Sequence, residues 1–448
     1  AQNSWFTVHQ TVPRTTHGSL PTTSLPLRQS LWRDITAGGP QTIVADAVEK
    51  PDKPKKPPPM RVRKFRVFPT VEQQQTIKTW MGAVRWTYNQ TVTHLNSPET
   101  KGRQSIKEVR ALCVNNEATR TAWAKNVPYD VRDEGARDAK KAVGSNMAKQ
   151  RIRKKQGLSH CFKLRYRRKK FSAQETLVVH SKHWSHPRGL YYDLLGKSGS
   201  KLKSAETLPV KLEYDIRLMR TRLNEYYLCI PLGTSSRIDN QEPDPTAPCV
   251  IALDPGVRTF MTGYDASGRV IEWAVGDTTR IHRLCKEIDS LHKRWGDVAH
   301  ARRYKMKRAA LRIRQELRNL VDEVHRKLSK WLCESYRVVL IPLFETQQMV
   351  KKGHRRLNSK TARAMCTWSH FRFRQTLMSK AKMYPHTLIV ETTEEFTSKT
   401  CGGCGVLNNK LGGKKIFTCG SCGFRSDRDF NGARNILIRH LTVTGASP

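Results

Sequence analysis

The sequence predicts a multidomain protein that combines α/β and β domains, and three observations lead to this class. From residue 249 onward, short apolar strands alternate with two long amphipathic helices, as in an α/β domain. Residues 163–232 contain four runs of β-type residues, which follow a basic, helical block. Close to the C terminus, two Cys-x-x-Cys pairs have the spacing of a small ribbon that folds around a metal ion.

The charge of the chain indicates a polyanionic partner. The 448 residues include 81 Lys and Arg against 38 Asp and Glu, a formal net charge of +43. A compact fold with this excess repels itself, and contacts with nucleic-acid phosphates neutralise it with release of condensed counterions. Because the basic residues are spread over the whole chain, a long nucleic acid fits better than one small phosphate ligand. A ribosomal or histone-like binder is the simpler alternative, but this chain is long and rich in ordered motifs.

The sequence indicates neither a membrane protein nor a disulfide scaffold. It contains no run of about 18 apolar residues, and no secretory signal pattern, so we expect no membrane-spanning helix and no membrane partner. Of the 11 cysteines, four form the two pairs and the others, such as Cys113 and Cys333, are isolated. This usage is typical of a reduced, intracellular protein with one metal site.

The first part of the chain is predicted to be an N-terminal extension. Residues 1–58 are rich in Thr, Ser, Pro and Gln and end in a basic run, so alone they should be disordered. The stretch from Lys53 to Lys56 fits a nuclear import signal, which would place the protein in the nucleus. It fits a solvated basic linker equally well, and the sequence leaves both interpretations open.

From Met60 onward the pattern becomes regular. RVRKFRVF alternates basic and apolar residues, as in a half-exposed strand, and Pro69-Thr70 then opens a helix with Glu72 in its first turn. Helical, basic segments continue to about Lys155. Four predicted strands follow, namely KLRYRRKKF, TLVVHSK, LPVKLEYDIRLMRTR and YYLCIPL. Together they predict a β-barrel that the helical block interrupts near its start.

A Pro-rich linker, DNQEPDPTAP, ends at Pro248 and opens the C-terminal half. The segment CVIALDPGVRTFMTGYDASGRVIEWAVG then predicts several strands, with DASG as a hairpin turn. Two helices follow, each with one apolar stripe; the stripes are Ile281, Leu284, Ile288, Leu291 and Trp295, and Ile313, Leu317, Leu320, Val324, Leu328 and Trp331. They predict a helical hairpin packed inward on these stripes, followed by the strand VVLIPLF, a basic loop, a helix and the strand TLIVE.

The strongest local motif is Cys401-x-x-Cys404 followed by Cys419-x-x-Cys422. Four thiolates in two knuckles are the ligands of tetrahedral Zn²⁺, and the neighbouring glycines permit the tight turns. No further ligand is suggested, so the predicted site is closed and structural. Because strands and a helix resume on each side, the ribbon is predicted to be an insertion in a larger domain.

Two carboxylates stand at positions suited to metal chemistry. Asp254 ends the apolar strand IALD, and Asp429 precedes a helix in DRDFNGARNI, where the small Gly432 and Ala433 allow close packing on a sheet. Asp254 can also cap a turn, and either Asp427 or Asp429 can be a helix N-cap. A strand hairpin with Asp, a strand expected to end in Glu and an Asp at a helix start form the RNase H-like order. In such sites three carboxylates converge and hold two Mg²⁺ ions, which prefer hard oxygen ligands.

Four motifs together resemble the TnpB and Fanzor family of transposon-encoded RNA-guided nucleases, relatives of type V CRISPR effectors. They are KFRVFPTVEQQQTIKTWMGAVRWTYN, IALDPGVRTF, FTSKTCGGCG and CGSCGFRSDRDFNGARNI. The resemblance extends from residue 60 to the end of the chain, and the eukaryotic branch, Fanzor, fits better because of the N-terminal extension. Asp254 matches the first acid of the family's RuvC nuclease site. The last motif of the family has a metal-binding Asp two residues before an Asn, which here is Asp429 before Asn431.

The resemblance implies a division of the chain into five parts. They are an N-terminal extension over 1–58, a wedge β-barrel over 59–70 and 163–246, a helical recognition domain over 71–162, an RNase H-like RuvC nuclease domain over 247–396 and 426–448, and a zinc ribbon over 397–425.

The second acid of the RuvC site is the open question of the sequence. Many TnpB proteins have a Glu at the end of the central strand, seven residues before a Met, but Pro342 stands seven residues before Met349. Fanzors resemble a TnpB subgroup in which a Glu further downstream replaces it. The resemblance therefore implies Glu394, in the loop before the ribbon, and after it Glu391, at the end of the TLIVE strand. Glu345 is the local alternative, and Glu395 is interpreted as a solvated acid.

By this resemblance the protein is expected to be an RNA-guided, Mg²⁺-dependent DNA endonuclease. One protein would bind one guide RNA, which pairs with double-stranded DNA beside a short flanking motif, and would cleave that DNA with two Mg²⁺ ions. An inactive RNA- or DNA-binding protein is one alternative, and an RNA-independent nuclease or transposase of RNase H type is another. Copurifying RNA would separate the first interpretation from the transposase, and metal-dependent cleavage would separate it from the inactive binder.

Overall fold

A computed structural model shows two compact units, one formed by Pro58–Gly233 and the other by Ala1–Pro57 with Thr234–Pro448. The structure describes residues 6–9, 60–97, 100, 104–116, 126–158, 162–169, 174–185, 189–190, 201–234, 249–351, 353, 357–393, 395–409, 411–412 and 414–443. The basic stretch at 53–56 and Glu394 lie outside these residues. Within the N-terminal extension, the described element is a short strand, β1 (Phe6–His9).

The unit from Pro58 to Gly233 consists of an antiparallel sheet and a helical insertion. Its helices and strands are β2 (Met60–Phe68), α1 (Val71–Leu95), α2 (Ile106–Arg110), α3 (Tyr129–Lys155), β3 (Gln174–Val179), β4 (Trp184–Ser185), β5 (Gly189–Leu190), β6 (Lys203–Ser204), β7 (Ile216–Thr221) and β8 (Tyr226–Gly233). Five strands pair antiparallel in the order β3-β7-β8-β2-β6. The helical block between β2 and β3 is confirmed, whereas the closed barrel stays a prediction.

Helix α1 begins where its sequence places the start signal. The Thr70 hydroxyl accepts a hydrogen bond from the Gln73 N–H, and the Gln73 side chain accepts one from the Thr70 N–H, which together form a capping box. The inner face of the helix buries Ile77 and Trp80 against Phe65 of β2. Trp80 therefore belongs to the core.

The segment KLRYRR, part of the predicted strand KLRYRRKKF, does not join a sheet among the described residues. The side-chain amide of Asn89 donates to the Arg167 carbonyl at 3.1 Å and accepts from the Arg167 N–H at 2.8 Å. Asn96 binds the backbone of Leu164 in the same way, at 3.0 and 3.1 Å. The prediction of a strand is wrong because two amides of α1 take the place of a neighbouring strand.

The second unit is an α/β layer structure. Its helices and strands after β1 are β9 (Val250–Pro255), β10 (Met261–Asp265), β11 (Val270–Trp273), α4 (Asp277–Arg294), α5 (His300–Ser335), β12 (Val338–Pro342), α6 (Thr346–Met349), α7 (Ser359–Trp368), α8 (His370–Ala381), β13 (Leu388–Thr392), β14 (Ile416–Thr418), β15 (Arg425–Asp427) and α9 (Arg428–Val443). Six strands form one sheet in the order β1-β11-β10-β9-β12-β13. Strands β9, β12 and β13 are parallel neighbours, and the others pair antiparallel.

Side-chain alternation divides this sheet into two faces. On one face, Val250 and Ala252 of β9 pack with Ile436 and Leu437 of α9. On the other face, Ile251 joins a larger core with residues of α4, α5, α7 and α8. The predicted helical hairpin is confirmed as α4 and α5, and Ile281, Leu284, Leu317 and Leu320 of its two stripes are buried in this core. Among the described residues, no helix has the length and apolar character needed to cross a bilayer.

Strand β1 is an ordered part of the N-terminal extension, which the sequence predicts to be disordered when alone. Its four residues pair antiparallel with β11, from Phe6 opposite Trp273 to His9 opposite Val270. The outer edge of β11 would otherwise present unpaired backbone groups, which a fourth antiparallel strand satisfies. A composition-based prediction of disorder does not detect this, because the pairing partner lies far away in the sequence.

Two buried histidines beneath the sheet predict a loss of stability in mild acid. Burial lowers the pKa of His325 to about 4 and that of His370 to about 3. His370 stacks on Phe260 at 5.0 Å, and the His325 ring bonds to the Trp368 carbonyl at 2.9 Å. The unfolded chain takes up protons near pH 6.5, so the stabilisation is complete above this pH and declines as the pH falls toward the folded-state values.

We expect the free energy of unfolding to fall by about 2 kcal/mol per histidine between pH 7 and pH 5. Urea titration of the nucleic-acid-free protein measures this, and His370→Phe should reduce the pH dependence by about half. His386→Gln is the control, because His386 is exposed. An unchanged pH dependence in His370→Phe would contradict the prediction.

Candidate functional site

Asp254 lies at the end of β9, on the face of the sheet that α9 covers. It follows Val250 and Ala252 on that face by strand alternation. Its carboxylate approaches Gly432 so closely that a Cβ at that position would lie 2.7 Å from Asp254 Oδ2. Gly432 is therefore required for the close approach of helix and strand, as its small size predicts.

Asp429 lies in the first turn of α9, one turn before Gly432. Residues three apart share a helix face, so Asp429 is directed to the side of α9 that carries the contact with Asp254. Burial raises the pKa of Asp429, and the charges of Asp427 and Glu272 raise it further. Asp427 instead caps the N terminus of α9, because its Oδ1 accepts a hydrogen bond from the Asp429 N–H at 2.9 Å. The structure thus packs the helix that carries Asp429 against the strand that carries Asp254, with Gly432 at the contact.

Glu391 lies on the opposite face of the sheet. In the parallel pairing of β12 and β13 it stands beside Ile341, whose side chain belongs to the core under α8. Arg374 of α8 forms an ion pair with it at 3.3 Å. Glu391, the second candidate for the third acid, therefore faces away from Asp254, because alternate residues of a strand face opposite sides. On the Asp254 face, the corresponding positions hold Pro342 and Thr392.

The remaining candidates for a third acid differ in their surroundings. Glu345 precedes α6 and is exposed. Glu395 is also exposed and lies 3.6 Å from Arg439. The position of Glu394 is outside the described residues, so its part in the site stays a prediction.

Glu272 is an acid that the motifs of the sequence do not single out. It stands opposite Thr262 of β10, which in turn stands opposite Asp254, so all three share one face of the sheet. Adjacent strands are about 4.8 Å apart, which places the Glu272 backbone about 10 Å from that of Asp254. Its side chain is buried and accepts a hydrogen bond from the Thr259 hydroxyl at 3.0 Å. The single acid within the apolar run VIEW is the signal that could have identified it.

The four predicted zinc ligands converge. The sulfur atoms of Cys401, Cys404, Cys419 and Cys422 all lie within 4.8 Å of one another. The Cys401–Cys422 and Cys404–Cys419 sulfur pairs are 3.6 Å apart. A tetrahedron with Zn–S bonds of about 2.3 Å has edges of about 3.8 Å, so these residues fit a zinc ion. N–H groups of Cys422 and Ser421 lower the pKa of the Cys419 thiol to about 6, which favours the thiolate that a metal binds.

The first knuckle of the ribbon, Cys401–Cys404, is fastened to α9 through side chains. The Asn431 amide accepts the Gly402 N–H at 2.9 Å and donates to the Thr400 carbonyl at 2.8 Å. Asn435 donates to the carbonyls of Thr397 and Thr400 at 2.9 and 2.8 Å. The helix that carries Asp429 therefore also holds the ribbon.

Loss of zinc is expected to unfold the ribbon and leave the rest of the chain folded. The ribbon has a small core of its own, made of Leu411, Phe417 and Phe424 with two of the cysteines, and without metal such a core is too small to be stable. Cys401→Ser or Cys419→Ser should lower bound zinc from one ion per chain to almost none and accelerate hydrogen exchange over residues 397–427. Cys366→Ser, at an exposed cysteine outside the ribbon, is the control. Retention of zinc and of slow exchange by both ligand variants would contradict the prediction.

Comparison with known proteins gives matches at both ends of the folded chain. A family model described as a Cas12f1-like TNB domain matches residues 370–436, and one described as a helix-turn-helix domain matches residues 60–96. The first match spans α8, β13, the cysteine ribbon and the start of α9.

Three relatives illustrate the similarity over most of the chain. A625R of Paramecium bursaria Chlorella virus 1, named as a transposase, is 28% identical over 401 residues, which cover 86% of this chain and 88% of the relative. The TnpB-like protein L79 of Acanthamoeba polyphaga mimivirus is 25% identical and covers 84% and 72%. A Streptomyces pristinaespiralis protein named as an RNA-guided DNA endonuclease is 25% identical and covers 86% and 90%. These matches confirm the resemblance that the sequence motifs indicate.

Proposed function

We propose that this chain, which is of the TnpB and Fanzor type, is an RNA-guided DNA endonuclease. The observation that carries the proposal is the contact of the Asp254 carboxylate with Gly432, one helical turn beyond Asp429. It packs the strand that carries Asp254 against the helix that carries Asp429, and the motifs of these two acids resemble the first and last parts of a RuvC site. The relative from Streptomyces that is named as an RNA-guided DNA endonuclease matches over 86% of this chain and supports the proposal.

The order of the main sheet supports an RNase H-like RuvC domain over 247–396 and 426–448. An antiparallel hairpin, β10 with β11, continues into β9, and β12 and β13 add to β9 in parallel. Residues 397–425 would then be an inserted zinc ribbon. In the other unit, residues 59–70 and 163–246 would form the wedge barrel, and residues 71–162 the recognition domain.

The acids of the site suit a divalent metal. Two Mg²⁺ ions, when bound, supply the activated water and the stabilisation of the leaving oxygen in phosphodiester hydrolysis. Asp254 and Asp429 would hold them through hard carboxylate oxygens, and Glu394 would contribute the third carboxylate. The half-buried position of Asp429, close to Asp427 and Glu272, favours a bound cation, because the cation offsets the repulsion among these acids.

The partners we propose are one guide RNA per protein and a double-stranded DNA target with a short flanking motif. In the unit of residues 58–233, a groove of about 1200 Å³ is lined by Arg85, the segment 163–168 and the start of β3. The two asparagine clamps fix that segment, and Arg165, Tyr166 and Arg168 on it are exposed. Cations and an aromatic ring on a rigid segment suit a nucleic-acid strand. For the basic stretch at 53–56 we propose nuclear import.

The test is cleavage by the protein reconstituted with its RNA. Plasmid DNA that matches the guide and carries the flanking motif should be cut in the presence of Mg²⁺, whereas plasmid with a mismatched guide region should not. Binding of the matched plasmid without cleavage at any Mg²⁺ concentration would favour the inactive binder. Equal cleavage of both plasmids would favour an RNA-independent nuclease.

A further inference from the structure

Helix α9 uses two opposite faces for two different contacts. At about 100° per residue, Asn431 and Arg434 lie on the side of the helix opposite Asp429, and Asn435 follows Asn431 by one turn. The second side holds the first knuckle of the zinc ribbon. A single rigid helix therefore joins the knuckle to the acid of the nuclease site.

Asn431 makes the most complete contact of this second side. Its side chain is 1% exposed, and its amide oxygen and nitrogen bind the backbone on both sides of Cys401, at Gly402 and Thr400. Arg434 adds a hydrogen bond to the Gly402 carbonyl. A buried amide without hydrogen-bond partners is destabilising, so these bonds hold helix and knuckle in one relative position.

We propose that Asn431 is a positioning residue that transmits the zinc-bound geometry of the first knuckle to Asp429, two residues before it in the same helix. The inference rests on the proposed function of Asp429 as a metal ligand. Zinc fixes the backbone around Cys401, that backbone fixes Asn431, and the helix then fixes the rotation and depth of Asp429 against Asp254. Zinc takes no part in the chemistry, and its effect on the nuclease site passes through this amide.

Gly402 offers a second way to disturb the same contact. A Cβ at Gly402 would lie 2.6 Å from Asn431 Oδ1 and 2.7 Å from an Arg434 guanidinium nitrogen. Gly402→Ala should push the knuckle away from α9 without removing a zinc ligand or a carboxylate. It should therefore have the same effect as Asn431→Ala.

The experiment compares Asn431→Ala and Gly402→Ala with Asn408→Ala. Asn408 is the matched control, because its amide bonds to Thr418 within the ribbon. Each full-length variant is assayed for zinc content, for Mn²⁺ affinity by electron paramagnetic resonance, and for hydrogen exchange over residues 428–432. We expect one zinc per chain in all three. The Mn²⁺ affinity should be at least about tenfold weaker in the first two, the range found when groups that orient a metal ligand are removed.

The outcomes separate this inference from the function on which it rests. If both knuckle variants retain zinc and bind Mn²⁺ as the wild type does, the inference is overturned and the proposed function stands. If the Mn²⁺ affinity of the variants falls only in proportion to their loss of zinc, the Asn431 amide does not position Asp429 independently of zinc binding. A wild-type protein that binds no Mn²⁺ would overturn both. Should Asn431→Ala fail to fold, Gly402→Ala decides the question.

Discussion

Replacement of Asp254 or Asp429 by alanine is expected to abolish DNA cleavage while leaving RNA and DNA binding almost unchanged. Asp254 lies at the end of β9 and Asp429 in the first turn of α9, and each change removes carboxylate oxygens beside the contact of the strand with Gly432. The loss should be at least about a thousandfold in rate, which corresponds to about 4 kcal/mol of transition-state stabilisation. Binding of RNA and DNA should persist because these two carboxylates would hold metal ions and do not contact phosphates directly. The measurement therefore pairs single-turnover cleavage with a gel-shift assay.

The third acid can be identified by the same assay across a series of glutamates. Two metal ions and a phosphodiester need about three carboxylates for charge balance, so a site with two Asp should bind its second metal poorly. Glu394→Ala is expected to need more Mg²⁺ and to cut more slowly. Glu391→Ala and Glu345→Ala should be tolerated, because Glu391 pairs with Arg374 on the far face and Glu345 is exposed.

Glu272→Ala completes this series. Its carboxylate lies on the Asp254 face of the sheet, although its contact with Thr259 gives it a structural part as well. If Glu272→Ala is inactive and Glu394→Ala is active, the third acid comes from β11 and the motif-based prediction of Glu394 is wrong. If Glu345→Ala is the only inactive variant, Glu345 is the third acid. The alignment across Pro342 is then displaced by three residues.

The parts of the site that local sequence determines could be predicted. An apolar strand that ends in Asp-Pro-Gly, and four cysteines in two knuckles, depend on neighbours within a few residues. The structure accordingly brings the four sulfurs within 4.8 Å of one another. The asparagine and arginine contacts between the first knuckle and α9 join residues about 30 positions apart, as in Gly402 to Asn431, and local pattern does not reveal them.

What could not be predicted depends on pairing and register. The face of Glu391 follows only from its position opposite Ile341, and that of Glu272 only from its position opposite Thr262. The segment at 163–168 has the composition of a strand, but Asn89 and Asn96 of a helix complete its backbone hydrogen bonds. Strand β1 likewise depends on the free edge of β11. In each case the deciding partner is distant in the sequence.

RNA is expected to copurify with the protein and to be required for cleavage. Purified at moderate salt from cells that express its locus, the protein should carry one RNA species in equimolar amount, and RNase treatment should abolish cleavage. The formal charge of +43 requires many phosphates for neutralisation, far more than a DNA flanking motif of a few base pairs offers. Asp254→Ala is the control for fold, because it should carry the same RNA and still not cut.

A basic row on α5 allows this prediction to be tested on the protein side. Arg302, Lys305 and Arg312 are exposed, and none of them forms an ion pair with an acid in the described part of the chain. Arg302 and Arg312 are ten positions apart on the helix, about 15 Å, which is comparable to the length of four or five nucleotides in one strand. The hydrogen bonds of Arg303 to the carbonyls of Gly296 and Val298 fix the turn before them.

Changing these three residues to glutamine should weaken RNA binding and reduce its dependence on salt. Each phosphate contact contributes about −0.9 to the slope of log K against log[salt] for a duplex, so the slope should become smaller by up to about three. A control with the same change of charge replaces Arg318, Lys327 and Lys330 by glutamine. These residues lie nearer the C-terminal end of the same helix. If wild type and variant have equal slopes of log K against log[salt], the RNA does not bind to this row of α5. A protein that is free of nucleic acid and still cuts DNA would contradict guidance by RNA altogether, because the charge would then serve DNA binding alone.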